Sequence, residues 1–291
     1  MSIDNDVWTI QKLILWTTSY FKKMSVESPR ISAETLLAFS LGLKRIDLYL
    51  LFDKPLNKEE LQNFKSLIKR RAKSEPVAYI LNEKEFWSKV FFVTPDVLIP
   101  RPETECMVEI ALKHLSYNNT MRVLELGTGS GAIIISIASE QKKHIYFATD
   151  YSIKAINIAK KNAINQGLDR KISFIVGDWT KPFKNHPPFD MIISNPPYIS
   201  SASIHSLQKE IINYEPMIAL ESGPDGLNSL NFIVNNAHQL LTLGGTLILE
   251  IGFDQSEKIL DKAKLTKKYI NIECIKDYSG NNRVLILEKR D

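Results

Sequence analysis

The tetrapeptide Asn195-Pro196-Pro197-Tyr198 follows the apolar run Phe189 to Ile193, which reads as a buried β-strand. Proline lacks an N–H and fixes φ, so two in succession end a hydrogen-bonded ladder. A residue before proline is held in the extended region, and this sets the direction of the Asn195 side chain. The carbonyls beside the prolines lose their ladder partners. An amide acceptor, free carbonyls and an aromatic wall within one turn of chain can grip a planar group that carries an NH2. For an isolated proline pair, however, a plain strand-terminating loop is the more economical explanation. The rest of the chain has to decide.

Three further stretches carry chemistry-bearing groups at expected strand ends. In Val123 to Ile133, VLELGTGSGAI, a strand breaks into Gly127, Gly129 and Gly131, with Thr128 and Ser130 between them, before a helix begins. Glycines let the chain turn sharply and let a ligand approach the backbone. A tight strand-to-helix turn explains them equally well. The spacing is G-x-G-x-G and not G-x-G-x-x-G, which counts against a pyrophosphate ligand and so against an NAD-dependent dehydrogenase. Asp150 lies about 20 residues downstream, where an acidic side chain takes ribose hydroxyls in a doubly wound fold. Its simpler role is to cap a helix starting near Ser152. Trp179, in Gly177-Asp178-Trp179, can lie on a purine or belong to the core.

Periodicity supplies the elements that must position these groups. Val7, Ile10, Ile14 and Phe21 recur at helical spacing, and a second stripe runs from Ala33 to Leu41 and stops at Gly42. Asn57 and Glu60 form a capping-box pattern before Leu61, Phe64 and Ile68. Residues 1–81 are therefore expected to form a small helical bundle. The aromatic and β-branched run Phe86 to Val93 suggests a hairpin, placed in a linker of residues 82–95. Residues 96–291 alternate strand and helix. Strands are expected at Arg122–Glu125, Ile145–Asp150, Ile172–Val176, Phe189–Ser194 and Thr246–Ile251. The fold class is thus α/β: a mostly parallel, doubly wound sheet. Two last strands, Ile270–Lys276 and Arg283–Glu288, flank the turn-forming DYSGNN and are expected to close an antiparallel hairpin at one edge.

Composition narrows the classes. Of 291 residues, 44% are apolar and 24% charged, which fits an ordinary globular chain and excludes a disordered one. A net charge of +4 is too small for a dedicated duplex-DNA binder. Cys106 and Cys274 form no C-x-x-C, and the histidines at 114, 144, 186, 205 and 238 show no metal-ligand spacing. No metal site is expected, and the cysteine usage fits a reducing cytoplasm. Asp4, Asp6, Gln11 and Lys12 argue against a signal peptide or membrane span at the N-terminus.

Taken together, GTGSG, the acidic strand end and NPPY resemble the S-adenosylmethionine-dependent methyltransferases of the Rossmann-like class I. The segment VLIPRPETE, Val97 to Glu105, and the helical N-terminal region narrow the resemblance to the protein N(5)-glutamine methyltransferases of peptide chain release factors, the PrmC/HemK family. YEPMIALESGPDGL, Tyr214 to Leu227, resembles that family too, and the likeness covers nearly the whole chain. It implies S-adenosylmethionine as cofactor, held by Gly127, Thr128, Gly129, Ser130, Gly131, Asp150, Trp179 and Asn195. It implies as substrate the glutamine of a Gly-Gly-Gln tripeptide in class I release factors, met by Arg101, Asn195, Pro196, Pro197 and Tyr198. Neither a nucleic-acid nor a membrane partner is expected, and the protein is expected to be a monomer.

Asn195, Pro196 and Tyr198 would then be the catalytic residues. An amide nitrogen is a poor nucleophile because its lone pair is delocalised. The Asn195 oxygen and the Pro196 carbonyl would each accept one N–H of the substrate amide, and Tyr198 would wall the approach. Methylation of a ribosomal protein glutamine or of DNA adenine uses the same motif, and a catalytically silent nucleoside sensor would keep the glycine loop without needing Asn195 and Tyr198.

Overall fold

The computed structural model describes residues 7–183 and 186–290. The expectation about the N-terminus rests largely on residues 1–6, which lie outside the described residues. The chain divides into two compact units, Met1–Asn82 with Gln208–Tyr214, and Glu83–Leu207 with Glu215–Asp291.

In the first unit the helix Ile10–Lys23 buries Ile10, Leu13, Ile14 and Phe21, one face at helical spacing. It packs against the helix Pro29–Ser40, which ends before Gly42 at φ +64°. The helix Lys58–Arg71 starts in the expected capping box: Glu60 N donates to Asn57 Oδ1 at 2.9 Å and Asn57 N to Glu60 Oε2 at 2.8 Å. Phe64 and Ile68 are buried as expected, and Leu61 is half-buried. A short helix from far along the chain, Lys209–Tyr214, belongs to this unit as well. It is held where the Arg71 guanidinium pairs with Glu210 and the Tyr214 hydroxyl donates to Lys73 O at 3.1 Å.

The second unit opens with an antiparallel hairpin of β1 (Glu83–Phe86) and β2 (Lys89–Phe92). It begins three residues before the expected start, because Glu83, Lys84 and Glu85 carry no apolar alternation. Its turn residues Trp87 and Ser88 both have positive φ, at +51° and +54°, the twist that a two-residue hairpin turn requires. The hairpin is part of the α/β unit rather than a linker. Phe86 and Phe91 join its core, and Asn162 accepts from Phe92 N at 2.7 Å while donating to Phe92 O at 3.0 Å.

The main sheet is built from β3 (Arg122–Leu126), β4 (Ile145–Asp150), β5 (Ile172–Val176), β6 (Phe189–Ser194), β7 (Leu241–Glu250), β8 (Tyr269–Lys276) and β9 (Asn282–Lys289). Their order is β5-β4-β3-β6-β7-β9-β8. The first five run parallel, and β9 is antiparallel to both its neighbours. Met191 and Ile193 of β6 enter one core and Ile192 the opposite one, so both faces are covered and the strand reads as a continuous apolar run. The strand order reverses between β3 and β6. Ligands in such sheets bind in the crevice that opens there, beyond the carboxyl ends of the strands. Among the described residues no helix is long and apolar enough to cross a membrane.

Candidate active site

A cavity of about 390 Å³ opens beyond the ends of β3, β4, β5 and β6. Its wall includes Gly127, Thr128, Gly129, Ser130, Asp150, Trp179, Asn195, Pro197 and Arg101, so nine of the sequence-derived site residues converge on one space. Gly131, Pro196 and Tyr198 lie outside that wall.

The glycine loop is held by its own backbone. Gly127 N and Thr128 N both donate to Thr149 O, at 2.9 and 3.0 Å, and Gly131 N donates to Thr128 O at 2.8 Å. Gly131 serves packing rather than the cavity. Its φ is +82°, and a Cβ there would stand 2.7 Å from Ile135 Cδ1 and 3.2 Å from Ala159 Cβ. A Cβ on Gly129 would meet nothing within 4 Å. That is the position where a ligand has room against the chain.

Asp150 closes the loop from the next strand. One carboxylate oxygen accepts Gly129 N at 2.8 Å and the other accepts Ser152 N at 2.9 Å. The helix Ile153–Asn165 is capped by Ser152, whose hydroxyl accepts Ala155 N, and not by Asp150. Burial raises the pKa of Asp150, and the backbone N–H groups of Ser152, Gly129 and Tyr151 oppose that rise. With three N–H groups on about four acceptor sites, the carboxylate keeps about one for a ligand. Glu125, at the base of the same loop, is fully buried; desolvation pushes its pKa up to about 8 although the Thr128 hydroxyl donates to it. The Trp179 ring lies against the loop, 3.5 Å from where a Gly127 Cβ would stand.

At the end of β6 the motif is pinned from several sides. Ser194 Oγ donates to Leu126 O at 2.7 Å, tying the ends of β6 and β3 together. The Gln255 amide donates to Tyr198 O at 2.8 Å and to Gly226 O at 3.2 Å. Asn195 Nδ2 donates to Thr104 Oγ1 at 3.2 Å, while Asn195 Oδ1 accepts no hydrogen bond among the described residues. The Pro196 carbonyl is likewise left open there. The Tyr198 hydroxyl donates to Glu250 Oε1 at 3.1 Å, and its ring packs on the core beside β7. Desolvation, with the Glu250 charge adding, raises the Tyr198 pKa. Arg101 pairs with Glu215, Nη2 to Oε1 at 2.6 Å, and still borders the cavity.

Sequence reasoning did not single out Thr104, Glu125, Asn162, Glu215 or Glu250. Thr104 lies inside the IPRPETE stretch, and Glu250 ends a strand on the ligand side; those are the signals the sequence offers. Asn162 Nδ2 also donates to Ser130 O at 2.8 Å, so one buried amide braces both the loop and the hairpin.

Comparison with known proteins gives this geometry a family. Residues 12–81 match the model of the PrmC N-terminal domain, and residues 105–223 match the methyltransferase small domain. The release factor glutamine methyltransferase of Geobacter sulfurreducens is 40% identical over 280 residues, 96% of each chain. The chain belongs to the release factor glutamine methyltransferases. Another member, from Rhodopirellula baltica, is 38% identical over 97% of each chain. The resemblance carried by GTGSG, IPRPETE and NPPY therefore extends along nearly the whole sequence. Among solved structures, the catalytic domain of hMettl16 superposes with a TM-score of 0.54 at 15% identity, covering 80% of this chain and 81% of that one. A methyltransferase from Pyrococcus furiosus gives 0.51 at 19% identity, covering 69% and 89%. At these identities the likeness is one of fold, and it is the fold expected of this family of enzymes.

Proposed function

We propose that this methyltransferase modifies the side-chain amide nitrogen of the glutamine in the Gly-Gly-Gln tripeptide of class I peptide chain release factors, with S-adenosylmethionine as donor. The observation that carries the reading is Asn195, a residue of the cavity wall whose amide nitrogen is engaged by Thr104 and whose oxygen accepts no hydrogen bond among the described residues. The names borne by its relatives supply the substrate class.

The cavity suits such a donor. Open space over Gly129, the remaining acceptor site of Asp150 and the Trp179 ring at the cavity wall suit a ribose and an adenine ring. When bound, S-adenosylmethionine supplies an electrophilic methyl group on a sulfonium. The rest is done by this chain. Asn195 Oδ1 and the Pro196 carbonyl accept the two N–H groups of the substrate amide and orient its nitrogen. The same acceptors stabilise positive charge as it develops on that nitrogen. Pro196 and Pro197 fix the aim of these groups in advance. A methylated, protonated amide is acidic enough to release its proton to water, so no strong base is required. The helical unit serves to hold the protein substrate, since every group assigned to the chemistry lies after Phe86.

Incubation with methyl-labelled S-adenosylmethionine and, separately, release factor, ribosomal protein and DNA tests the reading. Label should appear on the Gly-Gly-Gln glutamine of the release factor. Label on DNA or ribosomal protein alone would replace it. Asp150→Ala should weaken cofactor binding by about 1.5–3 kcal/mol, the value of charge-assisted hydrogen bonds. Unchanged affinity by calorimetry would remove Asp150 from the site.

A further inference from the structure

We propose that Glu250 is a positioning residue: acting through the Thr104 hydroxyl, it fixes which end of the Asn195 amide faces the substrate. The inference deepens the proposed reaction and rests on Asn195 Oδ1 being the substrate's acceptor. The wiring is short. Thr104 Oγ1 donates to Glu250 Oε2 at 2.7 Å, and Asn195 Nδ2 donates to Thr104 Oγ1 at 3.2 Å. Glu250 and Thr104 are both buried, at 1% and 4% exposure, so solvent offers neither a substitute partner.

A hydroxyl carries one proton. An ionised carboxylate only accepts, so the Thr104 proton is committed to Glu250 and only lone pairs remain toward Asn195. The NH2 end of the amide satisfies them. The reversed amide would set Oδ1 against a lone pair, with no proton between the two oxygens, and a buried hydrogen bond would be lost. Oδ1 is thus turned away from Thr104. In the reversed orientation an NH2 would meet the NH2 of the substrate, donor against donor, and the grip would fail. The other oxygen of Glu250 accepts from the Tyr198 hydroxyl, so one carboxylate orders both polar side chains of NPPY. Burial raises the Glu250 pKa, while the Thr104 and Tyr198 hydroxyls and the nearby Arg283 charge favour the ionised form.

Single-turnover methyl transfer to release factor, paired with calorimetric titration of S-adenosylmethionine, tests the relay in the full-length protein. Thr104→Val and Glu250→Gln should each slow transfer at least tenfold, with cofactor affinity changed less than about threefold. Thr104→Ser keeps the hydroxyl and should restore most of the rate. In an Asn195→Ala background, Thr104→Val should cost little more, because a group acting through Asn195 has nothing left to orient. The proposal is overturned if Thr104→Val transfers at the wild-type rate, if cofactor affinity falls in step with rate, or if the Thr104→Val effect persists undiminished without Asn195. Failure of the underlying reading looks different. There, the unaltered enzyme leaves release factor unlabelled, or Asn195→Ala alone is fully active, and the relay falls with it.

Discussion

In the proposed reaction Asn195 acts as charge appears on the substrate nitrogen, so its loss should weigh on the transition state more than on binding. Asn195→Ala should lower the transfer rate on the order of 10²–10³-fold, with a much smaller effect on cofactor affinity. Asn195→Asp keeps an acceptor of similar size but loses the N–H given to Thr104 and adds a charge. Its rate should fall between wild type and alanine; wild-type single-turnover rates in both variants would rule out the grip on the amide. Glu125 makes a prediction about pH. Its folded pKa, raised by burial to about 8 from an ordinary 4.5, means that the folded protein holds a proton which the unfolded chain has already released. Stability from this group is fullest below about pH 4.5 and declines as pH rises towards 8. The ligand-free protein should therefore lose Tm between about pH 5 and about pH 8, and Glu125→Gln, neutral throughout, should show a shallower slope there in thermal melts. An equal slope would mean that Glu125 does not titrate in this range.

The glycine loop separates two jobs that the sequence could not tell apart. At Gly131 a Cβ would meet Ile135 and Ala159 at a backbone φ of +82°, so Gly131→Ala combines left-handed strain with overpacking. Together these should cost about 2–4 kcal/mol in denaturant unfolding. Gly129→Ala adds a methyl to open space beside the cavity, and should cost only about 1–2 kcal/mol of stability while reducing cofactor affinity more than tenfold. If affinity for the donor survives Gly129→Ala, the loop is only a turn. The elements themselves were largely readable from pattern. β4, β5 and β6 span the residues expected of them, because each is an apolar run with clear ends. β7 begins at Leu241 rather than Thr246: Gly244 and Gly245 look like a turn, but the chain forms an irregularity in its pairing with β6 and continues as strand. β1 was hidden by its charged residues. In the site, residues in sequence-contiguous motifs could be found. Thr104, Asn162 and Glu250 could not be assigned, because what they do depends on partners that only the folded sheet brings within reach.

At the scale of the molecule, the path of the chain after NPPY is the feature no local pattern announced. It leaves the α/β unit at Leu207, forms the helix Lys209–Tyr214 within the helical unit, and returns at Glu215. The Arg71–Glu210 pair anchors the excursion. On return, Glu215 takes Arg101 at 2.6 Å and Ile99 N at 3.3 Å, beside the cavity wall. A chain starting at Glu83 removes Arg71 and Lys73, the partners of Glu210 and Tyr214, yet keeps all the residues that line the cavity, which begin at Phe86. Such a chain should bind S-adenosylmethionine within about threefold of the full-length protein, since no cofactor group has been taken away. Its segment from Ser201 to Glu215 should become the first site cut in limited proteolysis, where the full-length chain resists. Transfer of methyl to intact release factor should be lost, because the helical unit proposed to hold the protein substrate is gone. If the shortened chain folds, binds the donor and methylates release factor at the full rate, the helical unit is a stabilising cap and the docking role assigned to it is wrong.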